Sequence, residues 1–404
     1  MTISPDLLRV KLGEALTAPP PHLTRRGVRV RGIAGKPLAV IGVRRGGKTS
    51  FLHHRRAERI AAGRPRESQV LLGLEDERLV GMTAMDLGWV IEEHARQFPA
   101  LRAEGLLSLY FDEIQIVAGW EVLVHQLVEA RDVEIIVSGS SAKLLSREVA
   151  TAPRGRLMEV LIHPFSCREA LRHVDAEPSA PWHALSPSER AALDARLRDY
   201  LQTGGFPEAQ GTEFRDLSTP AGSFTVHKFY QALKSQGLAV SKDILHAYLS
   251  HLQDAFLTRL VDMHSASERQ RMVNPRKVYP IDPGLIPLYE LPGRTHRGRS
   301  LETAVLLELE RREYDVSWLR IEGDREIDCF ASRAGDAPLL RQICLDTTDS
   351  ATWDREIQAL SIAASVYPDA SAMLITMDHA PPTRPLPGAL RWRSATDWLL
   401  STND

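Results

Sequence analysis

The sequence predicts an α/β fold for its first half, with a parallel sheet covered by helices on both faces. From about residue 35 onward, short apolar segments alternate with helical patterns, and this alternation is typical of consecutive βα units. The first apolar segment leads into a glycine-rich turn, and a later one ends in an Asp-Glu pair. A mainly helical middle part and a second, smaller α/β part are predicted to follow.

The predicted sheet has five strands. Their residues are apolar almost throughout, as expected for strands that helices cover on both faces. The five segments are Leu38–Ile41, Gln69–Leu74, Leu106–Phe111, Val133–Val137 and Leu157–His163. Ahead of them, Ser4-Pro5 and the leucines that follow predict a short capped helix, which ends before Pro19.

Length and composition limit the class of protein. A chain of 404 residues with 43% hydrophobic and 25% charged residues is typical of a soluble globular protein with two or three domains. Its three cysteines are far apart, which favours neither a disulfide framework nor a zinc site. No signal-like N-terminus and no apolar run of about 18 residues occurs, so a cytoplasmic protein without membrane spans is expected.

The glycine-rich turn fits the pattern G-x-x-x-x-G-K-[ST] between a strand and a helix. Its backbone N–H groups are expected to cradle phosphate oxygens, and the helix N-terminus adds partial positive charge. Lys48 is expected to reach the β- and γ-phosphates, and the Thr49 hydroxyl to bind Mg²⁺. The pattern therefore predicts a site for ATP and Mg²⁺. Its residues are Gly42, Arg45, Gly46, Gly47, Lys48, Thr49 and Ser50.

Asp112 and Glu113 end the acidic strand. In a phosphate-loop protein, such a pair supplies a Mg²⁺ ligand, here Asp112, and a group that activates the attacking water, here Glu113. The alternative is a strand end with two solvated acids. The position of this strand, one strand after the glycine-rich turn, favours the hydrolytic interpretation.

The next strand ends in Ser138-Gly139-Ser140-Ser141. In a P-loop NTPase with an additional strand, this strand lies between the phosphate-loop strand and the acidic strand, so its end faces the γ-phosphate. Ser140 or Ser141 could then contact the attacking water or the phosphate. The alternative role is to cap a helix that begins near Ala142.

Three arginines follow the strand that ends in Ser138–Ser141, namely Arg147, Arg154 and Arg156. A well-placed arginine accelerates phosphoryl transfer by about 10³–10⁵-fold, and Arg154 or Arg156 is the candidate, reaching a neighbouring copy of the chain. The alternative is that these side chains are solvated. Arg44 and Arg45 could contact phosphate or point outward.

The middle of the chain is predicted to be mainly helical after a Pro- and Ser-rich connector at 174–188. Ser186 and Glu189 form a capping-box pattern, and the helix that follows ends at Gly204-Gly205. A later helix is predicted to have one apolar face, and it is followed by a strand pair, Arg259–Met263 and Lys277–Ile281. Helices followed by a two-stranded wing are typical of a winged-helix module. The residues of the apolar face are Leu245, Tyr248, Leu249, Leu252, Phe256 and Leu260.

The last part is predicted as a small α/β domain. Its segments in order are a helix (Ser300–Arg312), three strands (Val316–Arg320, Glu326–Ala331, Leu339–Leu345), a helix (Asp354–Val366) and a strand (Ala372–Thr376).

Basic residues are concentrated between 223 and 300, with eleven Lys or Arg against six Asp or Glu. Clustered arginines could neutralise DNA phosphates without reading sequence, although a solvated charged loop is the alternative. The residues concerned are Arg269, Arg271, Arg276, Lys277, Arg294, Arg297 and Arg299.

Several motifs together resemble, almost from end to end, a large prokaryotic family of AAA-type ATP-binding proteins. In that family a C-terminal domain of unknown function looks like a restriction-endonuclease fold. The resemblance implies nucleotide roles for Gly47, Lys48, Thr49, Asp112 and Glu113, and Gly46 is a minor departure from it. The motifs are Gly-x-Arg-Arg-x-Gly-Lys-Thr (42–49), Glu75–Leu79, Tyr110–Gln115, Ser138–Glu148, Gly155-Arg156, Pro164–Ser166, Gly204–Glu208, Val278–Leu285 and Leu301-Glu302.

The same resemblance makes the last domain interpretable. A nuclease of this fold holds Mg²⁺ with an Asp, a Glu-x-Lys on the next strand and often a helical Glu. Asp328 and Glu302 correspond to two of these, but Gln342 and Cys344 stand where the second carboxylate and the lysine are expected. A nuclease-like domain without nuclease activity is therefore expected, which binds DNA or supports assembly. The alternative for Asp328 and Glu302 is ion pairing with Arg320 or Arg355.

The predicted function is a Mg²⁺-dependent ATPase that couples hydrolysis to binding, remodelling or branch migration of branched or double-stranded DNA. DNA binding is expected to be independent of sequence, and the protein is expected to act as a homo-oligomer. The alternative is a signalling switch that acts on a protein partner, of the defence or toxin-control type; an active nuclease is a third option. The expected organisation is an N-terminal helix and lead-in (1–30), the ATPase domain (31–173), a connector and helical segment (174–222), a winged-helix-like domain (223–290) and the nuclease-like domain (291–404).

Overall fold

The computed structural model describes residues 3–30, 36–130, 133–140, 157–210, 242–265, 267, 269, 274–288, 297–323, 325–345 and 347–401. The chain forms two compact units. The first unit consists of residues 1–163 together with 254–256, and the second unit consists of residues 164–253 and 257–404.

The first unit contains the predicted parallel sheet. Its strands are β1 (Leu38–Ile41), β2 (Gln69–Gly73), β3 (Leu107–Asp112), β4 (Val133–Gly139) and β5 (Met158–Leu161). Their order is β2-β3-β4-β1-β5, and each neighbouring pair is parallel. The prediction that β4 lies between β1 and the acidic strand β3 is confirmed. The carboxyl ends of these three strands therefore meet at one edge of the sheet.

Five helices are described in this unit: α1 (Pro5–Thr17), α2 (Lys48–Ala61), α3 (Ala84–Gln97), α4 (Pro99–Ala103) and α5 (Trp120–Ala130). The predicted cap of α1 is present, since the Ser4 hydroxyl accepts a hydrogen bond from the Leu7 N–H. Phe51 and Leu52 of α2 pack into a core with Val40, at 2% and 0% exposure. Burial of each such side chain stabilises the fold by about 1.5–3 kcal/mol, which fixes α2 against the sheet.

The segment Glu75–Leu79 after β2 is tied to α1 by charged side chains. Lys11 lies 2.7 Å from an Asp76 oxygen, and Arg78 contacts both Asp76 at 2.7 Å and Glu14 at 3.2 Å. Partly exposed ion pairs contribute little individually, but a network also fixes orientation. The network holds α1 near the loop that leaves β2.

The second unit begins with α6 (Cys167–His173) and α7 (Pro187–Thr203). The capping box predicted at Ser186 and Glu189 is present, because each residue bonds the backbone N–H of the other. A similar capping box, formed by Ser166 and Glu169, begins α6. Both helix starts thus satisfy backbone N–H groups that have no partner inside the helix.

The helix predicted to continue to Leu260 is shorter in the structure. α8 spans Lys242–Asp254, Phe256 has a left-handed backbone with φ of 56°, and Leu260 belongs to a strand. The strand pair itself is present: β6 (Thr258–Val261) is antiparallel to β7 (Lys277–Pro280). The preceding helices of the winged-helix prediction fall on 211–241, outside the described residues, so that assignment stays a prediction.

A mixed sheet closes the second unit. After α9 (Leu285–Leu288) and α10 (Arg297–Arg311) come strands in the order β12-β11-β10-β9-β8, in which β8, β9 and β10 pair antiparallel and β10, β11 and β12 pair parallel. The strands are β8 (Asp315–Ile321), β9 (Arg325–Ser332), β10 (Leu339–Cys344), β11 (Ser371–Thr376) and β12 (Arg391–Ser394). The helices are α11 (Ser350–Val366) and α12 (Ala395–Leu400), of which α12, like β12, was not predicted.

The predicted stop at Gly204-Gly205 has a tertiary reason. Asp282, at 1% exposure, accepts hydrogen bonds from the Gly205 N–H at 2.6 Å and the Gly284 N–H at 2.9 Å. Burial raises the pKa of Asp282 to about 6, although these two hydrogen bonds act in the opposite direction. Gly204 has φ of 77°, and a Cβ there would lie 1.7 Å from an Asp282 oxygen.

We predict that Gly204→Ala destabilises the protein by about 1–3 kcal/mol from backbone strain, and by more once Asp282 is displaced. Thermal unfolding of the full chain measures the effect. Gly298→Ala is the matched control, since a Cβ at Gly298 meets nothing within 4 Å. Equal stability of the two variants would contradict the importance of this contact.

Candidate functional site

The glycine-rich turn between β1 and α2 needs glycine for identifiable reasons. At Gly42 the φ angle is 148°, and a Cβ would lie 2.3 Å from the Ile162 carbonyl oxygen. Gly47, with φ of 95°, is the N-cap of α2. A Cβ at Gly46 would lie 3.0 Å from the Val43 side chain, so this position is also tight. The turn therefore brings its backbone close to Ile162, directly after β5, and leads into the N-terminus of α2, whose first N–H groups have no partner within the helix.

Lys48 extends across this turn, and its side chain is almost fully buried. Its ammonium donates to the carbonyl oxygens of Gly42 at 3.3 Å and Val43 at 3.2 Å. The same ammonium lies 3.1 Å from Glu113 Oε1. Lys48 thus joins the glycine-rich turn to the end of the acidic strand.

The Asp112 carboxylate links three elements at the sheet edge. Thr49 Oγ1, from α2, donates to Asp112 Oδ2 at 2.7 Å, and the Ser138 hydroxyl, from β4, donates to Asp112 Oδ1. Ser138 Oγ in turn accepts the Glu113 N–H at 2.9 Å. The adjacent hydroxyl and carboxylate oxygens of Thr49 and Asp112 are the ligand type that Mg²⁺ prefers, so this pair fits the implied metal.

Glu113 is held in a defined position. It has a left-handed backbone with φ of 56°, which is uncommon for a non-glycine residue and often marks a functional site. Its Oε2 accepts hydrogen bonds from Gln115 Nε2 at 2.5 Å and from the Ser140 N–H at 3.1 Å. Burial by itself raises the pKa of Glu113, but the Gln115 hydrogen bond and the Lys48 charge outweigh it and hold the pKa below its ordinary value. Glu113 is therefore ionised near neutral pH.

Most residues predicted for the nucleotide site converge here. Arg45 and Ser50 are exposed at the same turn, and Arg44 points outward, 3.3 Å from Glu75. The remaining predicted residues, Ser141, Arg154 and Arg156, and also Arg147, lie outside the described residues. The residues brought together are Gly42, Gly46, Gly47, Lys48, Thr49, Asp112, Glu113 and Ser140.

Sequence reasoning missed three residues of this site. Ser138 lies in the Ser138–Ser141 segment, in which the sequence favours Ser140 and Ser141; the structure extends β4 to Gly139 and so places Ser138 within the strand. Gln115 follows the acidic pair by two residues, and its amide holds Glu113. Arg26, with 8% exposure, donates to the carbonyl oxygens of Gly46 at 3.2 Å and His163 at 2.6 Å. Nothing in the sequence near Arg26 indicates this contact.

Two further properties concern the described part of the chain. Within it, no group of three or more His, Cys, Asp or Glu side chains is arranged to hold a metal ion. Within the same residues, no helix combines the length and the apolar character that crossing a membrane requires.

Comparison with known proteins agrees with the geometry of the first unit. Residues 34–171 match the sequence model of a family described as "AAA domain". This match and the five-stranded parallel sheet support an AAA-type P-loop ATPase domain in this part of the chain.

Two curated relatives are similar over most of their length. An uncharacterized protein of Methanocaldococcus jannaschii is 27% identical over 374 residues, which cover 83% of this chain and 80% of that protein. A second uncharacterized protein, from Haemophilus influenzae, is 26% identical over 353 residues, covering 77% of this chain and 83% of that protein.

Two solved structures are also similar over part of the chain. Cdc6p from Pyrobaculum aerophilum shares 10% identity, with 70% of this chain and 90% of that chain covered and a TM-score of 0.27. A Drosophila ORC structure, bound to AT-rich DNA and Cdc6, shares 12% identity, with 61% and 82% covered and a TM-score of 0.20. At these TM-scores the two structures add nothing to the assignment.

We predict that Ser138→Ala destabilises the protein by about 1–3 kcal/mol, because it leaves the buried Glu113 N–H and one Asp112 oxygen without their partner. Chemical denaturation measures this. Ser140→Ala is the matched control, since Ser140 bonds Glu113 through its backbone N–H, which the substitution keeps. A larger loss in Ser140→Ala than in Ser138→Ala would contradict the role of Ser138.

Proposed function

We propose that the first unit binds ATP with Mg²⁺ and hydrolyses it to ADP and phosphate. The observation that carries this proposal is the convergence, at one sheet edge, of the Lys48 ammonium, the Thr49–Asp112 pair and the Glu113 carboxylate. These are the groups that phosphoryl transfer requires for charge neutralisation, metal binding and water activation.

In this proposal the glycine-rich turn and the first N–H groups of α2 bind the phosphate oxygens. Thr49 and Asp112 hold Mg²⁺, which when bound neutralises charge on the β- and γ-phosphate oxygens. Ser138 keeps Asp112 in place, since it bonds the oxygen that Thr49 does not use.

Glu113 is the proposed base. Its Oε2 is occupied by Gln115 and the Ser140 N–H, while its Oε1 is paired with Lys48. When the Lys48 ammonium binds phosphate oxygens instead of Glu113, Oε1 of Glu113 becomes available to accept a proton from the attacking water. The water oxygen then bonds to the γ-phosphorus as the bond to the ADP oxygen breaks. The proposal also includes an arginine finger: Arg154 or Arg156 of a neighbouring copy of the chain would stabilise the charge that develops during phosphoryl transfer.

We predict that Glu113→Gln keeps ATP binding and lowers the hydrolysis rate by about 100-fold or more, the range for loss of a general base. Lys48→Ala is expected to lose nucleotide binding or turnover. Equilibrium binding of a fluorescent ATP analogue and steady-state phosphate release measure the two properties separately.

The control for this pair is Glu77→Gln, which changes an exposed glutamate of the same unit. It should leave both properties unchanged. If Glu113→Gln hydrolyses ATP at the normal rate, the assignment of the base is wrong.

We further propose that hydrolysis is coupled to a DNA transaction, such as binding, remodelling or branch migration of branched DNA by a homo-oligomer. The support is the basic middle of the chain, in which Arg269, Arg297 and Arg299 are exposed. Arg271 and Arg294 lie outside the described residues. The winged-helix-like segment (223–290) and the nuclease-like segment (291–404) belong to the same proposal.

The DNA proposal predicts binding of forked or duplex DNA at low salt that weakens as salt rises, together with faster ATP hydrolysis when DNA is present. A gel-shift titration and phosphate release over a DNA panel measure both. The variant Arg269→Glu/Arg297→Glu/Arg299→Glu should weaken binding, whereas Arg391→Glu, an exposed arginine of the same unit, should not. Absence of binding at low salt and of any stimulation would rule out the DNA role.

A signalling switch acting on a protein partner is the second candidate, and one observation favours it. Two of the basic residues proposed to contact DNA are engaged with carboxylates instead: Arg276 lies 2.7 Å from Asp262, and Lys277 lies 3.2 Å from Glu326. The switch requires slow hydrolysis that is indifferent to DNA, which the same assays distinguish.

A further inference from the structure

A cavity of about 220 Å³ lies in the second unit, next to the carboxyl ends of two parallel strands. Leu345 directly follows β10, and Met377 and Asp378 directly follow β11, which pairs parallel with β10. Ligand pockets of α/β proteins commonly lie at this end of a sheet. Residues of α7 and the first residue of α10 complete the lining. The lining residues are Arg198, Leu201, Arg297, Leu345, Met377 and Asp378.

Hydrogen bonds join the two strand ends that border the cavity. The Met377 N–H donates to the Leu345 carbonyl oxygen at 3.0 Å. Asp378 Oδ2 accepts hydrogen bonds from the Thr347 N–H at 3.1 Å and from the Thr347 hydroxyl at 3.0 Å. These contacts fix Asp378 at the cavity. Both side-chain bonds use Oδ2 rather than Oδ1, so Oδ1 can accept a hydrogen bond from a ligand.

A chain of hydrogen bonds holds Arg198 at the same cavity. Its guanidinium lies 3.3 Å from His379 Nε2, and since arginine has only donors, Nε2 is the acceptor. The His379 proton is therefore on Nδ1, which donates to Asp194 Oδ2 at 2.5 Å. Asp194, at 4% exposure, also accepts a hydrogen bond from the Thr396 hydroxyl. Side chains from α7, α12 and the loop after β11 thus orient one guanidinium.

The charges of the cavity favour an anion. Arg198 and Arg297 contribute two positive charges, and Asp378 contributes one negative charge. The two guanidinium groups come from different helices, so their hydrogen-bond donors start from separate positions. A tetrahedral phosphate can bond them with different oxygens, whereas the two oxygens of a carboxylate match a single guanidinium. Two arginines placed in this way therefore suit a phosphate group.

Asp378 and the size of the cavity restrict the ligand further. The Asp378 carboxylate repels a bare phosphate, whereas a ligand with a hydroxyl group beside its phosphate can donate to Oδ1. Leu201, Leu345 and Met377 offer apolar contact to a carbon skeleton. The volume is below the range of about 300–1,000 Å³ that is usual for drug-sized ligands, so the ligand must be small.

We propose that this cavity binds a small sugar phosphate. Arg198 and Arg297 bind its phosphate, and Asp378 accepts a hydrogen bond from a sugar hydroxyl. His379 and Asp194 keep the Arg198 guanidinium turned toward the ligand. All of these residues belong to the second unit, and the site requires neither ATP hydrolysis nor DNA binding by the chain.

The test is isothermal titration calorimetry of the full chain with ribose 5-phosphate. The wild type should bind it with a Kd of about 1 mM or lower, as expected for a ligand of this size. Arg198→Gln and Arg297→Gln should each weaken binding at least about tenfold, through loss of a charge-assisted hydrogen bond. Arg196→Gln, which changes an exposed arginine of α7, is the matched control and should bind like the wild type.

Two simpler probes test the two halves of the ligand. Ribose should not bind measurably, and inorganic phosphate should bind more weakly than ribose 5-phosphate. In Asp378→Asn, inorganic phosphate should bind more tightly than in the wild type, because the repelling carboxylate charge is gone. The preference for ribose 5-phosphate over phosphate should fall in the same variant.

Three results would overturn the proposal. The first is a wild-type chain that binds no ribose 5-phosphate at millimolar concentration, and the second is unchanged binding in Arg297→Gln. Because Arg297 is exposed, that variant decides the question even if Arg198→Gln does not fold. The third is inorganic phosphate that binds the wild type as tightly as ribose 5-phosphate does. Lys48→Ala should bind ribose 5-phosphate like the wild type, which separates this cavity from the glycine-rich turn.

Discussion

The hydrogen bonds around the Asp112 carboxylate are the constraint on which the first unit's site depends. They join α2 through Thr49 and β4 through Ser138, and Ser138 also fixes the Glu113 backbone. These contacts exist only because β4 lies between β1 and β3 with their carboxyl ends aligned. A different strand order would separate the phosphate-binding turn from the acidic pair. The site is therefore a consequence of topology as much as of side-chain chemistry.

Each unit contains a lysine ammonium paired with carboxylate, almost fully buried at Lys48 and partly buried at Lys277, but the surroundings differ. Lys48 has one carboxylate and two carbonyl oxygens within 3.3 Å, so phosphate oxygens could replace these partners. Lys277 has three carboxylates within 3.7 Å. Removing one partner of a buried pair leaves an uncompensated charge, which is costly. A ligand can replace the single carboxylate that pairs with Lys48, whereas the three carboxylates around Lys277 favour a lasting ion-pair cluster.

Much of the fold was predictable because the relevant patterns are local. The five strands, the caps at Ser4 and Ser186 and the segments from α10 to β11 follow from residues a few positions apart. Prediction was wrong in the length of α8, where apolar residues at helical spacing continue into β6. The left-handed backbone at Phe256, which ends the helical path, has no signal in the residue type. β12 and α12 were missed because they are short and follow a Pro-rich segment.

The sequence by itself determined the glycine-rich turn, the acidic pair and the alternation that makes a parallel sheet, since each depends on neighbours along the chain. The tertiary structure decided that Ser138 bonds Asp112, that Arg26 bonds the turn, and that Lys277 rather than an arginine meets Asp328. These pairs are separated by between 20 and 51 residues. Strand order, strand register and the β-bulge between β8 and β9 bring these residues together, and local sequence patterns indicate none of these features.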